Sequence, residues 1–282
     1  MLESGRLYLR RYWEYEQQLA HAILHRAANS KKRSTKGGAD LQQAAAANAL
    51  TRNFSVITGG PGTGKTHTVI TILSLLLEQP GGDELKIALA APTGKAAARL
   101  TESLRAAGKQ HQATTIHRLL GTVPDSPYFR HHAERPLIAD VVIVDEASMV
   151  DLALMAKLFD AVPLTSRLIL LGDRNQLASV EAGNVLADIC EAARARESPL
   201  HGAVVELERN YRFAETGSIY TLSRAVNAGE TDAAAAVLLR GGAEVRWQKS
   251  PLAADLSAAL RQPIIDGCRS YLEAADPATA LR

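Results

Sequence analysis

The chain has few cysteines and no long apolar run. Its 282 residues include two cysteines, Cys190 and Cys268, which are too few and too far apart for a disulfide framework or a zinc site. Although 46% of the residues are hydrophobic, no uninterrupted apolar run reaches about eighteen residues, and no signal-peptide pattern opens the sequence. We therefore expect a soluble cytoplasmic protein with reduced thiols, and neither a disulfide-rich secreted domain nor a membrane protein.

The chain also lacks a strong net charge. The formal net charge is +2, and residues 1–38 carry eight Lys and Arg residues against three acids, which leaves 24 against 27 in the remaining 244 residues. The main body is therefore not expected to bind polyanions generally, and any nucleic-acid site in it must be a local groove. The length is sufficient for one complete domain and a smaller second part.

A glycine-rich loop stands between an apolar run at 54–58 and a helical segment. Residues 59–66 read Gly-Gly-Pro-Gly-Thr-Gly-Lys-Thr, which matches a phosphate-binding loop. Glycines allow successive N–H groups to turn toward phosphate oxygens, while Lys65 would reach the β- and γ-phosphates and Thr66 would bind Mg²⁺. A chance glycine-rich turn is the alternative. The pattern predicts that ATP and Mg²⁺ are bound by Gly60, Pro61, Gly62, Thr63, Gly64, Lys65 and Thr66.

Short apolar runs and helical stretches alternate along the chain. Four more runs, at 87–91, 141–144, 167–171 and 203–207, are too short for typical helices and predict an α/β fold with a parallel sheet and flanking helices. Ligands of such sheets bind at the carboxyl ends of the strands. Before the sheet, the apolar spacing predicts one amphipathic helix over 7–28. A basic linker follows at 31–38, either a solvated loop or an arm that contacts DNA.

Two acids follow the third apolar run directly. Asp145 and Glu146 end the run Val-Val-Ile-Val, and two carboxylates in this position are costly unless a cation receives them. Mg²⁺ bound to ATP phosphates would supply that cation, with Asp145 in the metal shell and Glu146 as the base that deprotonates the attacking water. An acidic N-cap of the next helix is the alternative, and it would explain only one of the two.

Polar residues also follow the fourth and second runs. Gln176 is expected beside the γ-phosphate as a sensor, with a solvent-facing loop as the alternative. After the second run and before the third, small hydroxyls and single cations suit contacts to a sugar-phosphate strand, although helix capping explains them equally well. These candidate contacts to single-stranded DNA are Pro92, Thr93, Lys95, Thr115 and His117.

Six segments together resemble the motifs of RecD-like superfamily 1 DNA helicases. They are residues 59–66 (motif I), 91–100 (motif Ia), 115–120 (motif Ib), 145–149 (motif II), 172–180 (motif III) and 210–213 (motif IV). The resemblance extends through almost the whole chain. Motif II and the extension of motif III to Gly183 are its most specific parts.

The resemblance implies a RecA-like P-loop NTPase motor domain at residues 39–208, after an N-terminal helix and linker at residues 1–38. Such a motor moves 5′ to 3′ on single-stranded DNA, usually within a complex with two other subunits. In the family pattern Gln42 would recognise adenine, Tyr211 would stack on the base and Arg212 would reach the γ-phosphate from a second motor domain. The chain shows no nuclease-like metal cluster, and in the family that activity belongs to a partner.

Residues 209–282 depart from the family pattern, because motif IV and two alanine-rich helical stretches are present but motifs V and VI are not. We expect an incomplete second motor domain here, and little or no helicase activity from this chain alone. Two other interpretations stay open. A P-loop ATPase of the switch or loader class would need a different arginine and sensor arrangement. A scaffold subunit without motor activity would have no chemical reason to retain Lys65, Thr66, Asp145 and Glu146 together.

Overall fold

The structure is a computed structural model, and it describes residues 2–3, 6–28, 41–177, 179–211, 217–247 and 255–280. The chain divides into two compact units, residues 1–214 and 215–282. Asn210 and Tyr211 belong to the first unit. The predicted linker at 31–38 lies outside the described residues, and so does Arg212. No helix in the described part of the chain is both long enough and apolar enough to cross a membrane.

The first unit is built on a six-stranded parallel sheet. Its strands are β3 (Phe54–Gly59), β4 (Ile87–Ala91), β5 (Ala113–Thr115), β6 (Val141–Val144), β7 (Arg167–Gly172) and β8 (Val204–Leu207), in the order β5-β4-β6-β7-β3-β8. They follow a short antiparallel pair, β1 (Leu2–Glu3) and β2 (Arg6–Leu7). The predicted parallel α/β sheet is confirmed, and the five apolar runs coincide with strands. The sequence interpretation missed β5, because its three residues are only half-buried and form no apolar run.

Helices cover both faces of this sheet. They are α1 (Arg10–Ala28), α2 (Leu41–Thr51), α3 (Lys65–Leu77), α4 (Gly94–Ala106), α5 (Ile116–Leu120), α6 (Leu152–Ala161) and α7 (Val185–Ala192). Because side chains alternate along a strand, Phe54 and Val56 pack with α1, α6 and α7 in one core. Ile57 packs with α2, α3 and α4 in the other. Burial on both faces explains why the strands are continuous apolar runs.

The N-terminal helix begins later than predicted. It starts at Arg10, and residues 7–9 are not helical because Leu7 pairs with Leu2 in the antiparallel strands. Near its end, the fully buried Arg26 donates hydrogen bonds to the carbonyl oxygens of Val162, Pro163 and Ser166. These bonds fasten α1 to the turn between α6 and β7.

The second unit is helical in its described residues, 217–247 and 255–280. It contains α8 (Ser218–Ala228), α9 (Thr231–Arg240), α10 (Leu256–Gly267), α11 (Arg269–Leu272) and α12 (Pro277–Ala280). Helices are thus present in the region where alanine-rich helical stretches were predicted. Both cysteines are free, with Cys190 buried in the first unit and Cys268 exposed in the second.

Candidate nucleotide-binding site

The strand order brings three predicted motifs to one cavity. Strand β3 lies beside β7, and β7 lies beside β6, so the loops that follow these strands meet at the carboxyl edge of the sheet. The cavity between them has a volume of about 600 Å³. Its lining consists of Pro61, Gly62, Thr63, Gly64, Lys65, Thr66, Arg99, Glu146, Gln176 and Tyr211.

The loop from β3 to α3 has the geometry that its glycines predict. Gly62 and Gly64 have φ angles of 83° and 85°, a region that residues with a side chain rarely adopt. A Cβ on Gly64 would also lie 2.2 Å from Nε2 of Gln42. The loop therefore favours glycine at this position for its backbone angle, whereas the Gln42 side chain could move aside, and α3 begins immediately afterwards at Lys65.

Lys65 extends back along the glycine-rich loop. Its Nζ donates hydrogen bonds to the carbonyl oxygens of Gly59, at 2.6 Å, and Gly60, at 3.1 Å. Thr66, on the first turn of α3, lines the cavity next to it. A positive charge, a hydroxyl and the N-terminal end of α3 thus lie together, and this combination suits a polyphosphate.

The two acids after β6 lie in contrasting environments. Asp145 is 8% exposed, and its Oδ1 accepts the Glu146 backbone N–H at 2.9 Å. Burial raises the pKa of the Asp145 carboxyl, and that backbone N–H and the charge of Lys65 counter the rise in part. Glu146 lines the cavity with a φ of 54°, and its buried Oε2 has no hydrogen-bond partner in the described part of the chain.

The structure disfavours the N-cap interpretation of these acids. The short 3₁₀ helix at 147–149 receives no side-chain cap from Glu146, and Asp151 caps α6 by accepting the Leu154 backbone N–H at 2.9 Å. Helix capping therefore accounts for neither carboxylate of motif II. A buried carboxylate oxygen without a partner fits a site in which a cation or a polar ligand atom binds.

Gln176 is half-buried and lines the same cavity. Its Oε1 accepts the Ser148 hydroxyl at 3.4 Å, which connects the loop after β7 with the segment after β6. The loop itself is fixed by two further bonds, from the Arg174 N–H to Thr58 Oγ1 and from the Asn175 N–H to the buried Asp173. Gln176 is therefore not a freely solvated loop residue.

Residues before β3 and after β8 donate hydrogen bonds to the glycine loop, and of these Tyr211 lines the cavity. Gln42 Nε2 donates to the Thr63 carbonyl at 3.2 Å. The Tyr211 N–H donates to the Gly62 carbonyl at 2.8 Å, and Asn210 Nδ2 donates to the Pro61 carbonyl at 2.8 Å. The Tyr211 ring is 57% exposed at the cavity, so it is available for stacking.

The predicted DNA contacts lie at the same sheet edge but outside the cavity. Ala91 pairs with Thr115, so the segments after β4 and β5 are neighbours. Thr93 Oγ1 accepts the Ala96 N–H and Thr115 Oγ1 accepts the Arg118 N–H, both at 3.2 Å. The capping role is thus present for both threonines, whereas the contact with DNA stays a prediction. Lys95 and His117 are exposed, and Pro92 is half-buried.

Sequence reasoning missed Arg99 as a cavity residue. It belongs to α4 and to motif Ia, a segment interpreted through DNA contacts alone, yet its side chain lines the cavity with Lys65 and Glu146. Its sequence position gave no signal, because only the crossover from β4 places α4 beside α3.

The cavity fits a nucleoside triphosphate with Mg²⁺. Gly64 takes a left-handed backbone, and Glu146, whose buried Oε2 is unpartnered among the described residues, lines the same cavity as the glycine loop. Thr66 lines the cavity and Asp145 stands directly before Glu146 at the end of β6, and these two residues would hold the Mg²⁺ shell. Within the residues that the structure describes, no group of three or more His, Cys, Asp or Glu side chains could hold a metal ion.

Comparisons with known proteins find one matching family model and several relatives in sequence. The family model described as AAA domain matches residues 42–182. The RecBCD enzyme subunit RecD of Mycolicibacterium smegmatis is 46% identical over 263 residues, which cover 86% of this chain and 46% of that protein. The ATP-dependent RecD2 DNA helicase of Deinococcus radiodurans is 35% identical over 242 residues, which cover 82% of this chain and 31% of that protein. The chain thus spans less than half the length of each of these relatives.

A solved structure of Bacteroides Pif1 bound to single-stranded DNA is similar with a TM-score of 0.43 and 22% identity. The match covers 84% of this chain and 57% of that chain.

Proposed function

The chain belongs to the AAA domain family, and because it resembles RecD subunits over more than four fifths of its length, we propose that it is the ATP-binding motor domain of a RecD-like 5′ to 3′ DNA helicase. In this proposal it acts in the cytoplasm in double-strand-break repair and recombination, with the beta and gamma subunits of exodeoxyribonuclease V as partners. The observation that carries it is the convergence of the glycine loop, Glu146 of motif II and Gln176 on one cavity, with Asp145 directly before Glu146 at the end of β6.

In the proposed binding mode, the loop amides and Lys65 hold the phosphates. Lys65 would exchange its bonds to the Gly59 and Gly60 carbonyls for bonds to phosphate oxygens. Gln42 and Tyr211 would contact the adenine, since both touch the loop at the end of the cavity away from motif II. Thr66 and Asp145 would hold the Mg²⁺ shell.

We assign ATP hydrolysis to the motif II end of the cavity, opposite the proposed adenine contacts. Glu146 is the proposed base, because its Oε2 is buried and unpartnered and can accept a proton from a water molecule. Gln176 would contact the γ-phosphate. Through its hydrogen bond with Ser148, it would signal to motif II whether that phosphate is present. Bound Mg²⁺ would supply neutralisation of the phosphate charge.

The proposed coupling between the nucleotide site and DNA depends on the carboxyl edge of the sheet. Thr93 and Thr115 sit at the starts of α4 and α5, and the Asp145 N–H donates to the Ala90 carbonyl at 2.9 Å. A change at motif II can therefore reach the end of β4 within one hydrogen bond. This connection supports coupling of ATP hydrolysis to translocation along single-stranded DNA by Pro92, Thr93, Lys95, Thr115 and His117.

Measuring the ATP affinity of the Lys65→Ala variant tests the proposal. Removing the ammonium leaves the phosphate charge without its main side-chain partner, so ATP affinity should fall about tenfold or more. Isothermal titration calorimetry with Mg·ATP measures it. Lys86→Ala is the control, since Lys86 precedes β4 at the other end of the strand and does not line the cavity. Equal ATP affinity of Lys65→Ala and the parent chain would refute the assignment.

A further inference from the structure

Arg99 is an unassigned cation in the proposed nucleotide site. Lys65 and Arg99 are the two cationic side chains that line the cavity in the described part of the chain. Lys65 is held by two carbonyl oxygens of the glycine loop. Arg99 is exposed on the second turn of α4, and no acidic side chain of the described residues pairs with it. It therefore retains its full hydrogen-bonding capacity for a ligand.

The strand order determines which end of the cavity Arg99 occupies. From β8 the sheet runs through β3 and β7 to β6 and then β4, the strand that leads into α4. Tyr211 follows β8, the glycine loop follows β3, and Glu146 follows β6. Arg99 comes from the β4 side, so it lies at the motif II end, opposite the residues proposed to contact the base.

Phosphates anchored at the glycine loop extend toward that end. The N-terminus of α3 with Lys65 and Thr66 would hold the inner phosphates, and the terminal phosphate would then lie on the side of Glu146 and Gln176, which line the same cavity. A guanidinium from α4 on that side would be placed to contact the terminal phosphate. ADP has no group at this position.

We propose that Arg99 binds the γ-phosphate and makes the site distinguish ATP from ADP. The inference rests on the proposed function and extends it, since the family resemblance assigns the γ-phosphate contact to Arg212 and gives Arg99 no role. An arginine can donate two parallel N–H bonds to phosphate oxygens, which a lysine cannot do with its single ammonium group.

A competing role for Arg99 is an ion pair with Glu146. Such a pair would orient the catalytic base and would alter hydrolysis without altering the preference for ATP over ADP. The Glu146→Gln background separates the two roles, because it removes the carboxylate charge and slows ATP consumption during a binding measurement.

The experiment measures the affinities of the full chain for Mg·ATP and Mg·ADP by calorimetry in the Glu146→Gln background, with and without Arg99→Ala. Arg105→Ala is the matched control, because Arg105 is also an exposed arginine of α4 and does not line the cavity. Arg99→Ala should lower ATP affinity about tenfold and leave ADP affinity within about twofold, and Arg99→Lys should restore part of the loss. Arg105→Ala should change neither affinity.

Three results would overturn the inference. Equal losses of ATP and ADP affinity would show that Arg99 contributes only a general positive charge. No loss of either, together with slower hydrolysis when Arg99→Ala is made in the chain that retains Glu146, would assign Arg99 to the ion pair with Glu146. A parent chain that binds neither nucleotide would refute the proposed function itself, whereas a parent that prefers ATP and an Arg99→Ala variant with the same preference would refute this inference alone.

Discussion

Glu146 combines two features that cost free energy in the folded chain. Its φ of 54° lies in the left-handed region, where a non-glycine residue is strained, and its buried Oε2 has no hydrogen-bond partner in the described residues. Each feature typically costs on the order of 1–3 kcal/mol. Such costs persist when the surrounding structure enforces them and a ligand uses the result, so the strain supports a catalytic role for this residue.

Replacing Glu146 by glutamine should separate catalysis from stability. The amide keeps the size of the carboxylate but cannot accept the proton of the attacking water, so the rate of ATP hydrolysis should fall about 10²–10⁴-fold while ATP binding is retained. The substitution also removes a partly buried charge, so the thermal unfolding midpoint should stay the same or rise. Phosphate release and thermal denaturation are the two measurements.

Glu102→Gln is the control for this change, because Glu102 is an exposed glutamate of α4 that does not line the cavity. It should hydrolyse ATP at the parent rate. Parent-like hydrolysis by Glu146→Gln would transfer the role of base to another residue.

At the scale of elements, Arg26 determines how the N-terminal helix is held. Its guanidinium is fully buried, donates to three carbonyl oxygens at the end of α6 and lies 5.7 Å from the centre of the Phe159 ring. Burial lowers the pKa of Arg26 to about 10, so the side chain is still charged at neutral pH.

Arg26→Met should therefore destabilise the first unit strongly. The thioether fills much of the same space but leaves the carbonyls of Val162, Pro163 and Ser166 without this donor, so the free energy of unfolding should fall by about 2–4 kcal/mol. Urea denaturation followed by circular dichroism measures the change. Arg10→Met, at an 82% exposed side chain paired with Glu14, should cost less than about 1 kcal/mol. Similar losses for both variants would show that burial of Arg26 does not stabilise α1.

The sheet could be predicted from the sequence because its strands are buried on both faces. Runs such as Val141–Val144 and Arg167–Gly172 are nearly all apolar and too short for helices. Strand β5 could not be predicted in this way, since its hydrogen bonds to β4 rather than apolar side chains define it. The sequence pattern also did not predict that α1 starts at Arg10. The apolar spacing extends the helix to residue 7, but Leu7 pairs with Leu2 in a strand instead.

Some of the cavity residues could likewise be predicted from the sequence, and others could not. Residues next to a strand end, such as Lys65, Glu146 and Gln176, could be placed because the carboxyl edge of a parallel sheet is a defined location. Arg99 could not, because it stands on the second turn of a crossover helix and reaches the cavity only through the packing of that helix. The hydrogen bond from Asn210 to the Pro61 carbonyl joins residues 149 positions apart and leaves no local pattern.

At the scale of the whole molecule, the described residues that line the nucleotide cavity all belong to the first unit. The cavity runs from Pro61 to Tyr211 in the sequence, and the unit extends to Ala214. Both hydrophobic cores are also formed within residues 19–207. In the second unit, by contrast, α10 and α11 contain no buried residue. The folding free energy of the nucleotide site should therefore come from the first unit.

A chain ending at residue 214 should consequently fold and bind Mg·ATP with an affinity within about threefold of the 282-residue chain. The prediction follows from burial: the strands β3, β6 and β7 that position Lys65, Glu146 and Gln176 have their side chains packed almost entirely within residues 1–214. Calorimetry gives the affinity, and thermal unfolding with and without Mg·ATP shows whether nucleotide stabilises the shortened chain by the amount its Kd implies. The lysine variant supplies the control, since Lys65→Ala in the shortened chain should lose this stabilisation. A shortened chain that is folded by circular dichroism but does not bind ATP would place a required nucleotide contact in residues 215–282, and the assignment of the complete site to the first unit would then be wrong.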